Sequence, residues 1–205
     1  MKGRRVWEIG GFISGAILIV FGAVALYMGV NGYQTVRDEL SKEYIVGGSD
    51  MAPAEIQKTA SEAGVPATIE LPTCDVVDKA IDTGTSARCF AQYMRIHALE
   101  ATGGLSYAQM GRFQSAAKPD DPAGTSDEAA AAKDESGKPI SNEARNIWVN
   151  ETALATALNV SYMAEQLAIF GIVVGVALLL AGIGLVILAL AVFGRQGARK
   201  EALVT

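Results

Sequence analysis

Two long apolar runs dominate the pattern of hydrophobic and polar positions. No charged side chain occurs from Ile9 to Val36, and none occurs again from Gln166 to Gly194. A hydrocarbon core of roughly 30 Å needs about 20 helical apolar residues. Ile9–Val30 meets that length, and Leu167–Phe193 exceeds it and can tilt. Lipid offers no partner to a free backbone amide, so both runs are predicted to be helices. A cleaved signal peptide is the rival for the first run. Its apolar stretch is too long for that, and the exit Val30-Asn31-Gly32-Tyr33 lacks a small-residue cleavage site. The expected fold class is all-α: a two-helix transmembrane hairpin with a small, mainly helical extracytoplasmic domain between the helices.

The polar interior of the chain subdivides by its punctuation. Thr35–Tyr44 favours continuing the first helix until Gly47-Gly48 stops it. Ser49–Gly64 reads as a capped helix, with Ser49 or Asp50 as cap, Pro53 in the first turn and Gly64 at the end. Val65–Pro72 is the expected extended piece. A helix from Cys89 is ended by Gly103-Gly104. From Ser141 the helical pattern resumes, and no Pro or Gly interrupts it between Asn142 and Phe170. The predicted organisation is an N-tail (1–8), a membrane helix (9–31), an outer helical domain (32–115), a flexible acidic loop (116–140), a juxtamembrane helix (141–166), a second membrane helix (167–193) and a C-tail (194–205). The acidic loop lacks aromatic and large aliphatic residues through Lys118–Pro139, so burial cannot offset its ordering. Its carboxylates show no regular calcium-ligand spacing.

Charge orients this arrangement. The tails hold six cations (Lys2, Arg4, Arg5, Arg195, Arg199, Lys200) against Glu8 and Glu201, while the remaining eleven cations and twenty acids lie between the apolar runs. Basic flanks stay on the cytoplasmic side. Both termini are therefore expected to be cytoplasmic and the central domain extracytoplasmic. A net charge of −5 excludes a basic nucleic-acid binder.

Glycine recurs in both helices with the same rhythm: Gly11, Gly15, Gly22 and Gly29 in the first, and Gly171, Gly175 and Gly182 in the second, followed by Ala189. Such a stripe allows close backbone packing, either of the two helices on each other or of separate copies. A pore is the weakest reading, because neither helix has an ionisable group at its centre.

Cys74 and Cys89 are the only cysteines. On the outer side such a pair reads as a structural disulfide, whereas a redox or metal pair wants closer spacing and histidine partners. Tyr93, His97 and Glu100 recur at helical spacing, and with Arg95 they form a candidate polar patch in which His97 is the pH-responsive group. The competing reading packs Phe90, Met94 and Ile96 into a small core and leaves Arg95 and Glu100 solvated. Asn150-Glu-Thr152 and Asn159-Val-Ser161 match the glycosylation pattern, but on a continuous helix these are expected to be chance matches.

The stretches YMRIHALEATGG (93–104), NEARNIWVNETALATAL (142–158) and SYMAEQLAIFGIVVGVALLLAGIG (161–184) resemble a family of uncharacterised two-pass membrane proteins of actinobacteria, over nearly the whole length. The resemblance implies a bacterial plasma membrane location and supplies no site residues. Some members bear the label of aromatic ring-opening dioxygenase. That chemistry needs two histidines and a carboxylate on iron, and His97 is the only histidine here.

No catalytic constellation, metal site or cofactor site is expected. The leading functional reading is a non-enzymatic envelope scaffold or interaction protein that contacts the lipid bilayer and another membrane or envelope protein, or self-associates. The alternative is an accessory or oligomeric component of a transport system. An enzyme built on His97, Tyr93 and Glu100 ranks third.

Overall fold

The computed structural model describes the backbone of residues 2–201 and the side chains of residues 9–191. The tail cations and acids on which the orientation rests lie outside the described side chains. Among the described residues there are four α-helices and no strand: α1 (Lys2–Lys42), α2 (Pro53–Glu62), α3 (Gly84–Ala101) and α4 (Glu143–Glu201), with a single 3-10 turn at Tyr107–Gln109. The chain divides into two compact units, Met1–Thr35 with Ala164–Thr205, and Val36–Met163.

The first unit is a helical hairpin. Its two helices are long and apolar enough to cross a membrane, and only 11% and 17% of their most apolar windows are buried. A core helix of a water-soluble protein would hide most of that surface. Here Phe12, Phe21, Phe170 and Leu180 all face outward.

What little is buried is the glycine seam. A Cβ built at Gly15 would lie 2.9 Å from the Gly182 carbonyl oxygen, one at Gly22 would lie 2.8 Å from that of Gly175, and one at Gly29 would lie 2.7 Å from that of Ala168. The helices thus run antiparallel with backbone against backbone, and only a hydrogen fits at the crossing points. Gly11 is looser, with Ala189 Cβ at 3.7 Å, and so is Gly171, with the nearest atom of Gly29 at 3.5 Å. The seven-residue rhythm keeps these positions on one face.

The second unit is built around α3. Thr83 and Ser86 form a reciprocal capping box, which starts the helix at Gly84, five residues before the Cys89 start expected from the sequence. At its end, Gly103 (φ +61°) and Gly104 (φ +77°) take the left-handed conformation. The Gly104 N–H donates to the Leu99 carbonyl at 2.7 Å and the Gly103 N–H to that of Glu100 at 3.2 Å, the Schellman pattern expected of the glycine pair. Ile56 and Ala60 of α2, Ile81, Ile96 and Leu99, with Trp148 and Leu158 of α4, form one apolar cluster, against which Phe90 and Met94 are partly buried.

Several local expectations are corrected. α1 stops at Lys42 because Tyr44 adopts φ +51°, ahead of Gly47-Gly48. Gly47 instead packs against the Val76 carbonyl, where a Cβ would collide. The cap of α2 is Ala52, which has no side-chain acceptor, so Pro53 alone marks the start. Residues 65–72 form no strand; Ile69 N–H closes a turn on Pro66, and nothing pairs alongside.

The largest correction concerns the acidic segment. Residues 111–142 are laid down as a lobe of backbone bridges, with Phe113 paired to both Thr125 and Ser141, and Ser115 paired to Ala131. Turns hold it: Asp121, Asp127 and Asp134 each accept a backbone N–H two residues on. Ser136 and the Lys138 N–H also donate to Asp134 and hold its carboxyl below the usual aspartate value. These polar closures order a segment that has almost no apolar surface to bury.

Cys74 and Cys89 form a disulfide across a separation of 15 residues, with Cα atoms 6.1 Å apart. Its reduction is expected to lower stability by about 3 kcal/mol in the chain-entropy description. Native protein should show no titratable thiol under denaturing, non-reducing conditions. Two titratable thiols there would contradict the bridge.

Candidate functional site

α3 carries all four residues of the predicted polar patch, and the structure splits them. Tyr93 lies one turn beyond Cys89 and is fully buried; its hydroxyl donates to the Cys74 carbonyl. It ties the helix to the segment that the disulfide also holds. Burial pushes its phenol above the usual value, and the nearby Asp75 carboxylate adds to this. Asp75 is itself held low by hydrogen bonds from Lys79 and the Val77 N–H. Tyr93 is therefore a core residue and does not share the face of the patch. Arg95 also leaves the group, placing its guanidinium 5.4 Å from the Trp148 ring centroid.

His97 and Glu100 do meet. His97 Nδ1 lies 3.3 Å from Glu100 Oε2. On the other side, Nε2 lies 3.4 Å from Asp50 Oδ2. That is ion-pair distance without hydrogen-bond alignment, and Nε2 is closed off from solvent with no hydrogen-bond partner. The imidazole thus bridges two carboxylates, with 26% of its side chain exposed. It links the segment before α2 to α3. Asp50 was missed as part of this group because it lies 47 positions upstream and reads locally as a helix cap.

Beside His97 runs an open groove of about 360 Å³, lined by Met94 and Ala98 of α3 and by Ile147, Glu151 and Leu154 of α4, among others. Glu151 is its unexpected member. Only 6% of the residue is exposed, and its Oε2 accepts the Thr152 hydroxyl at 3.2 Å. Trp148, Ala155 and Leu158 lie on the same side of α4 and pack into or against the core. A signal was present: Glu151 stands three residues after Trp148 and seven before Leu158, where an apolar residue is expected.

A buried carboxylate and an imidazole at the wall of an apolar groove can recognise charge at the edge of an apolar surface. No serine, cysteine or threonine lines the groove with them, and among the described residues no group of three or more His, Cys, Asp or Glu is placed to hold a metal ion. Comparison with protein-family models, curated proteins and solved structures finds no match.

Proposed function

We propose that this chain is a two-pass protein of a bacterial plasma membrane. Both ends face the cytoplasm, and the Val36–Met163 unit works outside as a non-enzymatic interaction module for another membrane or envelope protein. One observation carries the reading: a disulfide-closed unit is inserted between two helices of membrane-spanning length that leave their apolar faces uncovered. The resemblance to actinobacterial two-pass proteins supports the location, and the excess of tail cations supports the orientation. The groove beside His97 offers a surface for recognition without a paired nucleophile and base.

The oligomeric transport alternative is weakened by the glycine seam. The stripes that would join separate copies are filled by the chain's own two helices.

Photo-crosslinking in the native host tests the proposal. A benzophenone amino acid at the exposed positions Tyr44, Glu128 or Leu154 is expected to give a discrete adduct with one envelope or membrane protein from at least one of them. No adduct from any of the three would overturn the interaction reading.

A further inference from the structure

We infer that the groove between α3 and α4 receives a basic, amphipathic helical segment of the partner polypeptide. This rests on the interaction reading and names the chemistry of the partner.

The groove is longer than the cleft beside His97. A second open cleft, about 690 Å³, lies between the turn at 119–122 and the start of α4, with Ala101 of α3 in its wall. Ile147 and Asn150 line both clefts, so the two join into one trough along α4. From Glu143 to Leu154 the trough follows about three turns of helix, roughly 16 Å. A trough open along its length suits a rod-shaped ligand laid into it, with side chains at helical spacing as anchors.

The lining sets the chemistry of that ligand. Asp120, Asp121 and Glu143 stand at one end and the buried Glu151 further along, and among the described residues no Lys or Arg lines either cleft. Ile147 and Leu154, seven residues apart on α4, remain 37% and 40% exposed. They present apolar contacts two helical turns apart. The complementary segment has apolar residues at that spacing and Lys or Arg toward one end. The carboxylates steer and orient it, and the apolar contacts hold it.

The test uses the full chain in nanodiscs of zwitterionic phosphatidylcholine, with signal from empty nanodiscs subtracted. The probe is a fluorescent helical peptide of about 15 residues with leucines on one face and lysines at one end, and binding is read by anisotropy. Saturable binding is expected, and it should weaken as salt rises toward about 0.3 M. The triple variant Asp120→Asn, Asp121→Asn, Glu143→Gln should bind about tenfold more weakly and lose most of the salt dependence. Asparagine at 121 retains the oxygen that accepts the Ala123 N–H. Ala101→Trp, at an exposed position, should block binding by filling the trough. Unchanged binding in both variants overturns the inference. So does saturable uptake of dodecylammonium by a protein that ignores the peptide, which would make the trough a small-amphiphile site. Crosslinking separates the two levels: an adduct from Glu128 with none from Leu154 would sink the groove and leave the interaction reading standing.

Discussion

Gly175→Leu is expected to open the helical hairpin. A Cβ at Gly175 would lie 2.6 Å from the Leu26 backbone nitrogen and 2.9 Å from the Gly22 carbonyl oxygen. These are backbone atoms of the facing helix and cannot rotate aside, so the helices must part along the seam. Overpacking a core typically costs about 1–3 kcal/mol. Loss of the flanking crossings at Gly15 and Gly29 puts this substitution at the upper end, about 3 kcal/mol or more. Cysteines at Gly11 and Ala189 report it, because the Cβ position at Gly11 lies 3.7 Å from the Ala189 Cβ, within disulfide reach. The parent pair should crosslink efficiently and the Gly175→Leu pair should lose more than about nine-tenths of that yield, since 1.4 kcal/mol is already tenfold. Gly10 and Gly184 have no neighbouring atom within 4 Å of a built Cβ, so leucine at either position should leave the yield unchanged. Equal loss at Gly184 would show that the seam is not what holds the hairpin.

Asn142→Leu is expected to destabilise the Val36–Met163 unit by about 3–5 kcal/mol. Asn142 is buried at the start of α4, where its Oδ1 accepts the Ala144 N–H. Its Nδ2 donates to the carbonyls of Gly111 (3.1 Å) and Pro122 (2.9 Å). One side chain therefore caps a helix and closes both ends of the acidic lobe's first turn. A lost cap costs about 1 kcal/mol; the buried Gly111 carbonyl left without a donor costs about 1–3 kcal/mol, and the partly buried Pro122 carbonyl about 1 kcal/mol. Limited trypsin digestion offers a local readout at Arg112 and Lys133, since Lys118 and Lys138 each precede a proline and are not cleaved. The parent lobe should resist, whereas the leucine variant should be cut there before the rest of the unit unfolds. Asn142→Asp keeps the cap acceptor but sets a carboxylate oxygen against both carbonyls, so it should be no more stable than the leucine variant near neutral pH. A leucine variant as stable and resistant as the parent would dissolve this account of the lobe.

Asn142 also shows where sequence reasoning runs out. Local periodicity and punctuation make the long helices, the Gly103-Gly104 stop and the cysteine pair legible, because each depends on residues within a few turns of one another. The glycine rhythm marked the seam in the same way, since a stripe of period seven is visible on either helix alone. The lobe was invisible for the opposite reason. Its order comes from Asp121, Asp127 and Asp134 closing their own turns and from Asn142 reaching back to Gly111 and Pro122, and a composition rule counts all of these as solvated polar residues. The polar patch failed because helical spacing places Tyr93 and His97 on neighbouring positions without deciding which way the helix turns toward the core. The volume of Tyr93 and its bond to Cys74 decide it, and both depend on what packs opposite. Asp50 and Glu151, the residues that complete the surroundings of His97, come from distant segments that no local pattern joins.

The most direct test of the whole account is which side of the membrane each part occupies. Single cysteines at Glu128 and at Ala202, with Cys74 and Cys89 paired as a disulfide, would be exposed to a membrane-impermeant maleimide in intact cells and again after permeabilisation. Labelling is expected at Glu128 in intact cells and at Ala202 only once the membrane is opened. Labelling at Ala202 with protection at Glu128, or labelling of both in protein recovered from the soluble fraction, would contradict it.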